Sequence, residues 1–147
     1  MEYRSDTDKI YVRLDRGDEI MESLRDICKK EGVKSALFRG IGACSDAVVG
    51  TYIDEKREFM PHVKKDTMLE MISLMGDIVT DDQGEMHEHA HAMFAYLDGE
   101  EVRYFGGHLL KAVTLYTAEI ALEPVKGGTI SYQKEPTRDL NVWKFGW

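Results

Sequence analysis

Cysteine is scarce in this chain of 147 residues: Cys28 and Cys44 are the only two. Two thiols do not build a disulfide framework, and a cytoplasmic protein with both reduced is the expectation. Prolines number three, and glycines stand singly or in pairs at turn-like positions. No low-complexity linker, repeat or compositional break divides the chain, so a single domain over residues 1–147 is expected. No apolar run is long enough to cross a bilayer. The opening stretch MEYRSDTDKIYVRL has no apolar segment behind its charges, so no secretory signal is expected either. Basic charge is also short, with 19 Lys and Arg against 27 Asp and Glu and a net charge of −8. A protein that grips DNA through its phosphates draws affinity from basic groups that displace counterions. Here basic residues cluster no further than pairs such as Lys29-Lys30 and Lys64-Lys65, which argues against direct nucleic-acid binding.

What the chain does have is 43% hydrophobic residues, enough for a closed core. One segment, DRGDEIMESLRDICKKEG, repeats its apolar residues at helical spacing through Ile20, Met21, Leu24, Ile27 and Cys28. Asp15 is placed to cap its start and Gly32 to end it in the left-handed conformation. The remaining apolar segments read as strands: KIYVRL, VKSALFRGIGACSDAVVGTYI, REFMPHV, TMLEMISLMGDIV, HAHAMFAYL, EVRYFGGHL, VTLYTAEIALEPV and a tail around NVWKFGW. The expected class is α+β, a mostly antiparallel and strongly curved sheet flanked by helices. Gly40 and Gly42 in RGIGAC lack the full dinucleotide fingerprint and fit a curved or bulged strand better.

Four of the five histidines fall between His87 and His108. Side chains alternate along a strand, so His87, His89 and His91 share one face. Asp98-Gly99 is a strong two-residue hairpin signal. Counting outward from it, Leu97 faces Glu100 and His89 faces His108, with His91 two positions along on the same face. Three imidazoles then meet in one patch, which suits a tetrahedral zinc ion or another divalent transition metal. The alternative is a hydrogen-bonded polar cluster. A bulge at Gly106-Gly107 would throw His108 to the other face. His87, opposite Leu110 in this register, reads as a flanking residue, and His62, next to Pro61, as a hydrogen-bonded loop histidine. Three ligands with an open fourth position would suit catalysis and a closed fourth would suit a structural site; Glu70 and Glu85 are the candidate general bases.

GIGA, then EMISLMGDI, then HAHAMFAYLDG followed by GGHLLKAVTLYTAEI together resemble the plants-and-prokaryotes conserved (PPC) domain, also called domain of unknown function 296. The resemblance runs from IYVRLDRGDEI to the strand ending at Glu123. It implies a central antiparallel sheet with flanking helices, a homotrimer, and a metal associated with His89, His91 and His108. Plant members join this domain to AT-hooks, and many stand-alone relatives carry a DNA-binding label. No Arg-Gly-Arg core flanked by prolines occurs here, so the DNA-contacting element of the plant proteins is absent. No catalytic activity comes with the resemblance. The expectation is a metal-binding, cytoplasmic homotrimer that binds a small ligand or supports metal-assisted chemistry, with a DNA-associated regulatory or adaptor module as the alternative.

Overall fold

The order along the chain is β1 (Glu2–Ser5), β2 (Ile10–Asp15), α1 (Ile20–Glu31), β3 (Ser35–Ile53), β4 (Glu58–Lys64), β5 (Leu69–Thr80), β6 (Met86–Asp98), β7 (Glu101–Pro124), β8 (Thr129–Lys134) and β9 (Asn141–Gly146). This is a computed structural model, and it describes residues 1–137 and 140–146. The tail strand expected around NVWKFGW is present as β9, while Trp147 lies outside the described residues.

The fold departs from the expected α+β class. Among the described residues one helix, of 12 residues, stands against nine strands. The protein is a β-rich antiparallel domain with a single helix on one face, not a sheet flanked by helices. The physical reason is visible in the pattern, since only 20–31 carries a helical period. The rest alternates or is apolar on both faces.

α1 begins at Ile20 and not beside Asp15, because Gly17 turns the chain at a φ of 91° and Asp18 N donates to Asp15 O at 3.1 Å. Glu19 is therefore the cap: Oε2 accepts from Glu22 N at 2.8 Å, and Oε1 accepts from Ala112 N of β7 at 3.0 Å. Asp15 ends β2 instead, where its carboxylate pairs with Arg13 and the chain's amino terminus. Gly32 closes the helix at a φ of 67°, as the sequence predicts. Ile20, Leu24 and Ile27 are fully buried under the helix, each contributing about 1.5–3 kcal/mol of apolar burial.

Two long strands give the sheet its shape. β3 has 19 residues and β7 has 24, and each bends far enough to change partners along its length. β7 pairs with β6 up to His108, then with β3, and beyond Thr117 also with β2. β3 pairs with β5 in its first half and β4 in its second. The pairing β3–β5–β6–β7–β3 closes on itself, leaving β1 and β4 as edges. Irregularities at Gly40/Gly42, at Val48/Val49 and at Met71/Ser73 provide the bends. The core lies on the concave side beneath α1 and runs through Val12, Phe38, Val49, Leu74, Phe94 and Leu122.

Candidate metal centre

β6 sorts its side chains cleanly. Ala90, Ala92 and Phe94 are buried against the core, whereas His89, His91 and Met93 face outward. The strand is thus one-sided at the histidines, not buried on both faces. It turns into β7 through Gly99 and Glu100, with Gly99 at a φ of 64° and Asp98 opposite Glu101. This is a two-residue turn that needs positive φ only at its first central residue, so glycine takes that slot and Asp98 stays in the strand.

The one-place move of the turn shifts the register by two. His91, not His89, lies directly opposite His108. A two-residue shift preserves the face, so the three histidines still converge. The β6–β7 ladder is unbroken from the turn to His108, so Gly106 and Gly107 host no bulge there. Gly107 has a different task. Its φ is 153°, and a Cβ on it would meet Gly50 O at 2.6 Å, so only glycine lets β7 pass this close to β3 as it changes partner.

The ring centroids of His89 and His91 are 5.2 Å apart, those of His89 and His108 4.8 Å, and those of His91 and His108 5.6 Å. One nitrogen from each ring falls within 4.8 Å of the others. The Nε2 atoms of His89 and His91 are separated by 3.3 Å. Two nitrogens at zinc-binding distance in tetrahedral geometry would be roughly 3.4 Å apart, so this pair has the spacing a metal requires. Phe59 of β4 lies against the His108 ring, with centroids 4.6 Å apart, and limits its rotation. Burial, followed by the neighbouring His89 and His91, pushes the His108 pKa down to about 4 and lowers that of His91 as well. The His91 and His108 rings are therefore neutral near pH 7 and present lone pairs, the form a metal takes.

The other candidates lie elsewhere. His87 pairs across from Val79, not Leu110, and its Nε2 meets Asp81 Oδ2 at 2.8 Å. His62 is on strand β4, not in a loop, and contacts Thr51 Oγ1 at 3.3 Å. Glu70 sits opposite Ala43 and Ala95, in a depression shared with Tyr116 and away from the histidines. Glu85 belongs to the turn before β6, where its N–H donates to Asp81 Oδ1. Neither glutamate lines the histidine cavity, so the expected general bases are not in place. Glu88 does line it, but Arg25 of α1 holds its carboxylate.

Asp77 was not singled out by the sequence. It is 6% exposed, lies directly opposite His89 on β5, and accepts from Tyr132 Oη at 2.5 Å and from Trp143 Nε1 at 3.3 Å. Those contacts fasten the β8–β9 hairpin over the sheet beside the three histidines. Burial, then the Asp77 hydrogen bond, raises the Tyr132 pKa, so its hydroxyl stays a donor. An acid inside the apolar run LMGDIV was the available signal.

Fold and site together define a β-rich domain carrying a three-histidine cluster of metal-binding type on its outer face. The Plants and Prokaryotes Conserved (PCC) domain family model matches residues 1–126, and the chain belongs to that family. Among solved structures, a plant- and prokaryote-conserved protein of Pyrococcus horikoshii is 31% identical with a TM-score of 0.81, covering 97% of this chain and 94% of that one. A metal-containing protein of Archaeoglobus fulgidus is 26% identical with a TM-score of 0.80, covering 97% and 96%. A candidate DNA-binding protein of Ralstonia eutropha is 26% identical with a TM-score of 0.82, covering 97% and 94%. No curated protein matches the sequence.

Proposed function

We propose that the protein binds a divalent transition metal, zinc in first place, through His89, His91 and His108, and that this centre is its functional site. The observation that carries the reading is the convergence of three imidazoles, two of them with nitrogens at metal-ligand spacing. The metal-containing relative from Archaeoglobus fulgidus supports it. A bound ion would supply Lewis acidity at an open coordination position. This chain's own residues would hold the ion, orient His108 through Phe59, and bring Glu88 and Tyr132 to the same cavity. The test is elemental analysis of the purified protein beside His108→Ala prepared identically. One metal per chain, lost in the variant, is expected; no metal in either sinks the reading.

The proposed assembly is a homotrimer in the cytoplasm. What supports assembly is the outer sheet face, where Tyr11, Leu37, Ile41, Ile72, Met75 and Tyr116 are each at least 40% exposed. Side chains of this face share depressions, and one of these also reaches His89 and His91. So much exposed apolar surface is what a subunit contact covers. Among the described residues no helix is long and apolar enough to cross a membrane.

A second reading, a DNA-associated adaptor, is favoured by the description of the Ralstonia eutropha relative. Against direct contact stands the net charge of −8. Titration of labelled duplex DNA at low salt is expected to show no binding; binding that weakens steeply with salt would establish the adaptor instead.

A further inference from the structure

The histidines form one wall of a cavity of about 820 Å³, a size that takes a small organic ligand. Two other parts of the fold complete the lining of that cavity. From β3 and β4 come Tyr52 and Phe59, whose rings stand 5.3 Å apart. From the C-terminal hairpin come Tyr132, Lys134 and Asn141. Their arrival follows from register: Lys134 pairs with Asn141 and Tyr132 with Trp143, so all four point to one face of the hairpin. Ile130, on that face, is 8% exposed, and Asp77 takes Tyr132 and Trp143, so the hairpin is seated on the sheet.

The charges favour one kind of occupant. Three imidazole ligands bring no negative charge, so the double positive charge of a divalent ion held there is left uncompensated by its protein ligands. Of the nearby acids, Glu88 is held by Arg25 and Asp81 by His87, while Asp77 is buried beneath Tyr132 and Trp143. Tyr52, Phe59 and Tyr132 put three aromatic rings in the same lining, which favours an apolar body.

We propose that the cavity receives a small organic anion with a ring-sized apolar body, its anionic end toward the histidine-held metal and its body between Phe59 and the Tyr132 wall of the hairpin. This rests on the metal reading, and the experiment separates the two. Cobalt(II) is added to the metal-free protein, and its visible spectrum reports uptake. Acetohydroxamate and benzohydroxamate, which share a chelating head and differ in the ring, are then titrated. Both are expected to change the cobalt spectrum, with benzohydroxamate binding at least tenfold more tightly. Phe59→Ala and Tyr132→Ala are each expected to cut that preference below threefold. Tyr132→Phe, which keeps the ring if the alanine variant misfolds, is expected to retain it. Equal binding of the two probes to the native protein, or a preference unmoved by both alanine variants, overturns the ligand proposal and leaves the metal site standing. Failure to take up cobalt overturns both.

Discussion

His108 is the least exposed of the three proposed ligands, and its burial against Phe59 of β4 sets its chemistry. Its folded pKa of about 4 lies below the ordinary 6.5, so between those values the unfolded chain holds a proton that the folded chain does not. Stability of the metal-free protein therefore falls as the pH is lowered through that window and is recovered above it. His91 acts in the same direction. Denaturant midpoints at pH 7.5 and 4.5 are expected to differ less in His108→Ala than in the native protein; equal differences would show that the ring carries no such linkage. The thiols of Cys28 and Cys44 are pushed up to about 12 by burial, so neither offers the metal a ready thiolate.

Among the elements, β7 decides whether a site exists. It leaves β6 at His108 and continues against β3, and Gly107 is the hinge of that exchange. Gly107→Ala would place a Cβ against Gly50 O and oppose the positive φ, at a cost of about 1–3 kcal/mol. A lowered thermal midpoint together with weakened metal uptake is expected. Normal uptake in that variant would separate the crossing from the site. The hairpin between β6 and β7 teaches a related lesson. The dipeptide Asp98-Gly99 announced a turn correctly, yet either of two one-residue placements satisfies it. The choice depends on the φ that each central position must adopt. Because the alternatives differ by two in register, the shared face of the histidines survived the wrong placement.

At the scale of the whole molecule, the helix covers one side of the curved sheet and much of the other side remains apolar and open. Met75, 60% exposed between Arg39 and His91 in the ladders, lies on that open side. The native protein is expected to elute with light scattering at three times the chain mass of 16.8 kDa, and Met75→Glu at the mass of one chain. A native protein that runs as a single chain would end the trimer proposal. The net charge of −8 works against a polyanionic partner.

The sequence by itself determined the helix through its stripe from Ile20 to Cys28, the left-handed stop at Gly32, most of the strands, and the common face of the histidines. Each of these follows from a period or a local backbone preference, so a short stretch suffices to read it. Tertiary structure alone decided the rest. Where Glu70 and Glu85 lie relative to the histidines depends on how distant strands meet. So do the approach of Phe59 to His108 and the seating of Tyr132 and Trp143 on Asp77. These are contacts between residues 49 to 66 positions apart, and they exist only because β3 and β7 bend and exchange partners. No local pattern encodes that exchange, since it is set by where the two strands can approach and by the small residues, Gly50 and Gly107, that let them.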